Sequence, residues 1–289
     1  MLRTRGLTPY LYVAPMAAVL LLVFGYPMAR VVDFSLRRIR GASGPFIGLE
    51  NYRAVLSDGT FQEAALHNAL LLLAVPLMAI LSVFVAVLLY DRVRGWRLYR
   101  TALFLPYILA VPIVGIVLSY VFQKNGVLNE LLRALGLEAF ALDWLGNSRY
   151  ALWTVMGIII WREVGFGIVL FLARLASLNE EPLEAAQLDG VNWGQRLWYL
   201  LLPELRGTIE FYAVVSVITM LAWVFSYIWA ISKGGPGTAT QVLELYIYNR
   251  GLRDSLPGMA AAVAVLLLLG TLVLIAVLFR VRRSAEELG

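Results

Sequence analysis

Six long apolar segments dominate this sequence. Each is 20 to 24 residues long; five carry no charged residue, and the fourth is interrupted only by Arg162 and Glu163. A helix needs about 20 apolar residues to cross a bilayer, whereas β-barrel strands have about 10 residues of alternating polarity. We therefore predict an all-α, six-helix transmembrane bundle forming one domain over residues 1–289, with spans at 10–29, 68–90, 101–122, 150–173, 211–232 and 256–279.

The composition excludes several classes of protein. Hydrophobic residues make up 61% of the chain and charged residues 15%, against about 45–50% and about 25% in soluble domains. This argues against a soluble enzyme, a disordered chain or a nucleic-acid-binding domain. There is no cysteine and only one histidine, His67, which we interpret as structural or interfacial. We expect no catalytic residue, no metal site and no nucleic-acid partner.

Basic residues are densest in two short segments, 91–100 and 280–283. Cytoplasmic loops of membrane proteins are enriched in lysine and arginine, so this pattern favours both termini in the cytoplasm. The first span lacks the features of a cleaved signal peptide, and we expect a retained helix. Kinks are expected at the prolines inside the spans, which are Pro15, Pro27, Pro76, Pro106 and Pro112.

Residues 174–207 form a long connection that contains its own helix signals. Ser177 or Asn179 can cap a helix N-terminus, and Glu180 suits the positive end of the helix dipole. Gly190 is placed to end that helix. We therefore predict a cytoplasmic helix-turn-helix that bends around Gly190.

A second short helix is predicted after this bend. Asn192 and Gln195 have the spacing of a capping box, in which two side chains satisfy the free N–H groups at a helix start. Pro203 is expected to disrupt this helix before the next span, because proline lacks the N–H that the helix needs.

The first helix of this loop is acidic and carries small side chains. Residues 177–190 contain no lysine or arginine, whereas a helix that lies on anionic lipid is rich in both. Ala185 and Ala186 let another backbone approach closely, and Glu184 and Asp189 supply negative charge. The loop therefore favours docking of a protein partner over an interfacial helix on lipid headgroups.

A spaced pattern runs through this loop: Glu184-Ala185-Ala186, Gly190 after three residues, and Leu200, Leu202 and Pro203 beginning nine residues later. It resembles the EAA loop of permeases from binding-protein-dependent ABC importers, with Leu200 where that family usually has isoleucine. The resemblance implies that Glu184, Ala185, Ala186, Asp189, Gly190, Leu202 and Pro203 form the ATPase-coupling loop.

Two further segments resemble carbohydrate permeases of the same family. One is 48–52, Gly-Leu-Glu-Asn-Tyr, after the first span. The other follows the fifth span and comprises Gly234-Gly235-Pro236, Thr240, Leu243 and Tyr246-Ile247-Tyr248. The chain departs from that pattern at Gly251-Leu252, where carbohydrate members usually have an Ala-Phe-like pair. With the six spans, the three matches cover almost the whole chain.

The resemblance implies a division of labour between subunits. Neither lysine of the chain, Lys124 or Lys233, lies in a phosphate-binding Gly-x4-Gly-Lys-Ser/Thr loop. ATP and Mg²⁺ are therefore expected on a separate cytoplasmic ATPase dimer, with no cofactor in this chain. The other implied partners are a second permease subunit, an extracytoplasmic solute-binding protein and membrane lipid, in a bacterial or archaeal cytoplasmic (inner) membrane.

Two pairs of residues are candidates for lining the cargo path. A charge at the centre of a bilayer normally faces the bundle interior or water. Neighbouring residues point about 100° apart on a helix, so of Arg162 and Glu163 one is expected to face a cavity and the other a neighbouring helix. A structural ion pair is the alternative. Trp223 and Tyr227 are four residues apart and are expected to share one face.

We therefore expect half of the translocation path for a sugar, such as an oligo- or disaccharide. Glycerol phosphate or another polyol ester is the alternative cargo. An intramembrane enzyme would need buried nucleophiles or metal ligands, which one histidine and no cysteine do not supply. A transporter working alone would be expected to show internal repeats, and no convincing repeat is present.

Overall fold

The computed structural model describes residues 8–39, 41, 43–179 and 181–286, and within them almost all regular structure is helical. One isolated bridge, between Arg37 and Phe46, is the exception. The predicted all-α membrane fold is therefore confirmed. The helices are α1 (Tyr10–Ser35), α2 (Glu50–Leu56), α3 (Gly59–Tyr90), α4 (Trp96–Ile108), α5 (Val111–Val121), α6 (Val127–Ala134), α7 (Ser148–Leu175), α8 (Glu181–Leu188), α9 (Trp193–Ile231), α10 (Leu243–Tyr248) and α11 (Pro257–Glu286).

Five helices are long and apolar enough to cross a membrane: α1, α3, α7, α9 and α11. A sixth span is formed if α4 and α5 are counted together. The predicted span at 101–122 is therefore not one straight helix. Leu109 and Ala110 have extended ψ angles of 140° and 136°, and the two halves meet at a bend of 102°. Pro112 lies in the first turn of the second half, which fits the preference of proline for this place in a helix.

The fifth span also differs from its prediction. Pro203 does not separate it from the coupling loop, because α9 runs without interruption from Trp193 to Ile231. A π-helical turn at Leu197–Leu201 precedes Pro203, which then occupies the first turn of the following α-helical stretch. A wider turn changes the hydrogen-bond register, so the missing proline N–H is tolerated at this place.

The chain divides into two compact units, and the first contains the described residues up to Gln62 together with Tyr246–Val273. The Asn51 side chain is buried and donates to the carbonyls of Ser35 at 2.8 Å and Arg37 at 2.9 Å. A Cβ added at Gly258 would lie 2.4 Å from the Arg37 carbonyl. The 48–52 motif therefore joins the end of α1 to the start of α11.

The second unit contains Glu63–Leu245 and residues from Leu274 onward. Its centre is built from α3, α7 and α9, which approach closely where side chains are small. A Cβ at Gly167 of α7 would lie 2.3 Å from the Ser82 hydroxyl of α3. A Cβ at Gly115 of α5 would lie 2.4 Å from the Ala230 side chain of α9. Small residues at helix contacts are typical of membrane bundles, where packing drives association.

Candidate functional site

The coupling loop begins with a short helix that contributes no side chain to the core. None of the residues of α8 is buried. Leu188 is 89% exposed, Glu184, Ala185 and Asp189 are exposed, and Ala186 is half-buried. Glu180, predicted to lie in the first turn, falls outside the described residues. Helix α8 therefore leaves most of its surface, including Leu188, accessible.

The bend after α8 has the predicted local structure. Gly190 has a φ of +75°, a left-handed conformation that glycine adopts without strain. The N–H of Val191 donates to the Ala186 carbonyl at 3.0 Å, which satisfies a free carbonyl at the helix end. Asn192 and Gln195 then form a reciprocal capping box at 2.9 and 3.0 Å. The predicted first helix, bend and capping box are therefore present, but the second helix is not a separate short one, because it continues into the span as α9.

The loop is tied at its base by an ion pair between spans. Arg174 at the end of α7 lies 2.8 Å from the Glu204 carboxylate of α9. Next to this pair, Leu183 and Pro203 help line a groove of about 310 Å³ between α8 and α9. Leu202 is half-buried and Pro203 is exposed. A displacement of α8 would therefore change contacts at the end of α7 and in the first part of α9.

A second anchor of the loop was not predicted. Asp91, just after α3, accepts hydrogen bonds from the Trp193 indole at 2.8 Å and from the Arg196 guanidinium. The Trp193 ring also meets Phe84 of α3 edge-on, with centroids 6.3 Å apart. Asp91 and Arg196 are 105 residues apart, so no local pattern could reveal the contact.

Inside the bundle, a polar cluster joins three segments. The Arg162 guanidinium donates to Glu163 at 2.6 Å and to the Tyr227 hydroxyl at 2.7 Å. It also donates to the backbone carbonyls of Tyr107 and Leu109, each at 3.0 Å. These carbonyls lie at the break between α4 and α5, where helical partners are missing. We call Arg162, Glu163 and Tyr227 the polar joint.

The expected separation of Arg162 and Glu163 is wrong. Their charged ends meet, because both side chains are long enough to bend round the helix towards each other. The expectation that Trp223 shares a face with Tyr227 also fails. Tyr227 is 2% exposed, whereas Trp223 is 67% exposed. A π-helical turn at Thr219–Trp223 rotates the register, so a spacing of four residues no longer means one face.

An aromatic cleft lies beside the C-terminal part of α5 and the first half of α7. It has a volume of about 540 Å³. Trp153, Gly157 and Trp161 line it at intervals of four residues, and a Cβ at Gly157 would meet nothing within 4 Å. The two tryptophans are 50% and 48% exposed. Sequence reasoning missed this cleft, although the Trp-x3-Gly-x3-Trp spacing was a visible signal.

Comparison with known proteins places this arrangement in a family. Residues 54–285 match the family model described as "Binding-protein-dependent transport system inner membrane component". The chain belongs to this family. It is therefore a multi-pass membrane transport component, and the family resemblance recognised in its motifs is confirmed.

Individual relatives align over nearly the whole permease. It is 32% identical to the sn-glycerol-3-phosphate transport system permease protein UgpA of Agrobacterium fabrum, over 94% of this chain and 93% of the relative. It is 31% identical to the lactose transport system permease protein LacF of Rhizobium radiobacter, over 84% and 83%. Its fold matches a bacterial ABC transporter involved in alginate import, with a TM-score of 0.83, 23% identity and coverage of 96% and 95%.

The permease motif after α9 is held by contacts of its own. A Cβ at Gly234, which has a φ of +91°, would lie 2.6 Å from the Leu245 side chain. Thr240 is buried and hydrogen-bonds to Ser232 at 2.7 Å and to the Gly235 carbonyl at 2.9 Å. These motif residues therefore shape the segment rather than present free polar groups.

Two half-buried carboxylates, Asp58 and Glu244, have pKa values shifted in opposite directions. Burial would raise the pKa of Asp58, but hydrogen bonds from Tyr246 and Arg250 hold it below its usual value. In contrast, burial raises the pKa of Glu244 to about 7, and the hydrogen bond from Asn68 at 3.4 Å offsets this only in part. Asn68 also binds the N–H of Leu243 at 2.8 Å, so it connects α3 to α10.

Proposed function

We propose that this permease forms half of the translocation path for a neutral sugar in an ATP-driven importer. A single observation carries the coupling part of the proposal. Helix α8 has no buried residue, and the loop that contains it is tied at its two ends by the ion pairs Arg174–Glu204 and Asp91–Arg196, which join α7, α9 and the end of α3. A partner protein bound to this exposed helix can move it, and the ion pairs can transmit that displacement to the membrane helices.

The partner that moves α8 is a separate cytoplasmic ATPase dimer, which binds ATP and Mg²⁺. Glu184 and Asp189 supply charge on the exposed side of the helix, and Ala185 and Ala186 allow a close approach. Gly190 makes the bend that projects the helix, while Leu202 and Pro203 lie where the loop enters α9. The contacts between α8 and the ATPase then differ between the open and the closed ATPase dimer. Such a difference between two states is what coupling requires.

The remaining assembly follows from the same proposal. Both termini and the coupling loop lie in the cytoplasm of a bacterial or archaeal cell. A second permease subunit supplies the other half of the path, as a heterodimer. An extracytoplasmic solute-binding protein delivers the cargo; one alginate transporter of the same fold is in complex with a periplasmic protein bound to alginate pentasaccharide.

The cargo proposal rests on the available polar and aromatic groups. An anionic cargo needs unpaired cationic side chains along the path. Arg162 is buried and already bonded to Glu163 and Tyr227, which supports a neutral cargo over a phosphate ester. The cleft of Trp153 and Trp161 offers aromatic faces for the C–H surfaces of sugar rings. Trp161 lies about 20 Å along α7, well inside the bilayer, where tryptophan is uncommon on lipid-facing surfaces.

Purification through a tag on this chain tests the assembly first. The expected result is co-purification of a second permease and an ATPase. The complex is then reconstituted into proteoliposomes with its binding protein, and uptake of labelled lactose, maltotriose and glycerol 3-phosphate is compared. Uptake of a sugar, and not of the phosphate ester, supports the cargo proposal. Uptake of glycerol 3-phosphate alone contradicts it.

Variants of the cleft test its contact with the cargo. Trp161→Ala should raise the KM for the sugar about tenfold, the factor expected when an aromatic contact of ~1.5 kcal/mol is lost. Phe211→Ala is the matched control, because Phe211 is an exposed aromatic residue on α9 outside both the cleft and the coupling loop. An unchanged KM in the Trp161 variant would remove the cleft from the path.

A further inference from the structure

The turn between α3 and α4 carries an unusual concentration of positive charge. Residues 92–100 contain four arginines, all exposed: Arg92, Arg94, Arg97 and Arg100. Left-handed backbone at Arg92 (φ +52°) and Gly95 (φ +86°) tightens the turn. The first two arginines therefore lie close to the start of α4, where the other two project. We call these four residues the arginine turn.

The charge of the arginine turn is not compensated within the part of the chain that the structure describes. None of its four side chains makes an ion pair or a side-chain hydrogen bond there, and only Arg97 contacts an aromatic ring, that of Trp96, at 5.5 Å. The adjacent acid is Asp91, but its carboxylate is occupied by Trp193 and Arg196. Four positive charges thus remain for an external partner.

The surroundings of the arginine turn indicate which partner. Leu98 is 71% exposed, Tyr99 is 52% exposed and Leu105 is 54% exposed on the same helix. The arginines therefore stand where a membrane helix begins, beside apolar side chains that suit acyl chains. At that depth the available anions are lipid phosphates, and guanidinium groups bind phosphate through paired hydrogen bonds.

We propose that the arginine turn binds the headgroup of an anionic phospholipid, such as phosphatidylglycerol. The site goes beyond the transport function and does not depend on the cargo. The site adjoins Asp91, which anchors the coupling loop. A bound lipid therefore holds in place the turn that contacts the start of α9. A protein partner fits less well, because exposed leucine and tyrosine alternate with the arginines along a span that enters the bilayer.

The test uses the full chain, with its co-purifying subunits, in nanodiscs of phosphatidylcholine with a minor fraction of phosphatidylglycerol. Native mass spectrometry counts the anionic lipids retained after release. A variant with Arg92, Arg94, Arg97 and Arg100 all changed to Gln should lose retained phosphatidylglycerol, by about fivefold in affinity per arginine removed. The double variant Arg97→Gln, Arg100→Gln should lose part of the retained phosphatidylglycerol. Because it changes fewer residues, it shows whether the loss in the fourfold variant comes from misfolding.

The matched control removes the same charge elsewhere, from Arg53, Arg133, Arg149 and Arg253. Phosphatidylglycerol retention should be unchanged in this control, and added inorganic phosphate should not displace the lipid. Equal lipid loss in the control and the arginine-turn variant would overturn the proposal. So would full displacement by inorganic phosphate, or unchanged lipid retention in the arginine-turn variant, whether or not a co-purifying subunit is lost.

Discussion

The Arg162 guanidinium donates a 3.0 Å hydrogen bond to the backbone carbonyl of Leu109, 53 residues earlier in the chain. This bond joins the charged residues in the middle of α7 to the break between α4 and α5. The broken span leaves carbonyls without helical partners, and a positive charge at a helix C-terminus is favourable. The polar joint thus stabilises the 102° bend between α4 and α5. The span tolerates two adjacent charges because both are paired and hydrogen-bonded there.

Removing one member of the polar joint should destabilise the permease strongly. Arg162→Met leaves the Glu163 carboxylate buried without its cation, which costs roughly 3–5 kcal/mol when a buried ion pair is broken. We expect a clear fall in the thermal unfolding midpoint in detergent. Arg149→Met, an exposed arginine near the start of the same helix, is the control.

The double variant Arg162→Met, Glu163→Gln should recover part of that loss, because no unpaired charge remains. If the single and double variants unfold at the same temperature, the ion pair does not stabilise the joint in the way described.

Local signals in the sequence revealed the coupling loop, and long-range contacts stayed hidden. Gly190 and the Asn192–Gln195 capping box act within a few residues, so their structure could be predicted. The joint between Arg162 and Tyr227 and the anchor between Asp91 and Arg196 bridge 65 and 105 residues. Trp223 was misassigned because a π-helical turn breaks the regular period on which facial arguments rest.

The conformation of Gly190 makes a prediction about coupling. Gly190→Val places a β-branched residue at a φ of +75°, which costs roughly 1–2 kcal/mol and should straighten or displace the bend. Gly190→Asn tolerates this conformation and should retain most activity. We expect sugar-stimulated ATP hydrolysis to fall several-fold in the valine variant only. Gly207→Val, in a position with open space around it, controls for added bulk.

The Asp91 anchor should matter for coupling as well. Asp91→Ala removes the acceptor for Trp193 and Arg196 and leaves the Arg196 guanidinium, which is 16% exposed, without its counterion. We expect uptake to fall while ATP hydrolysis continues, so that less cargo moves per ATP. Glu130→Gln is the control, because that exposed acid pairs only with Arg133 on its own helix. An unchanged transport-to-hydrolysis ratio for Asp91→Ala would argue against the anchor.

Glu244 predicts a pH dependence of stability. Its folded pKa is raised by burial to about 7, above the usual value of 4.5, so the folded state favours the neutral acid. The contribution of Glu244 to the free energy of unfolding is therefore largest below about pH 4.5 and is lost as the pH rises through 7. The Glu244→Gln side chain stays neutral, so the thermal unfolding midpoint of this variant should change less between pH 5 and 8 than that of the unchanged protein. Glu138→Gln, an exposed acid, should leave the slope unchanged.

The central claim is that an external ATPase drives this permease through α8. It is tested most directly by reconstituting the chain with and without its co-purified ATPase and second permease, adding the solute-binding protein outside, and measuring sugar uptake with internal ATP. The account predicts uptake only in the complete complex, and its loss when Leu188, exposed at the end of α8, is changed to Asp. Uptake by the chain alone, or full uptake by the Leu188→Asp complex, would contradict it.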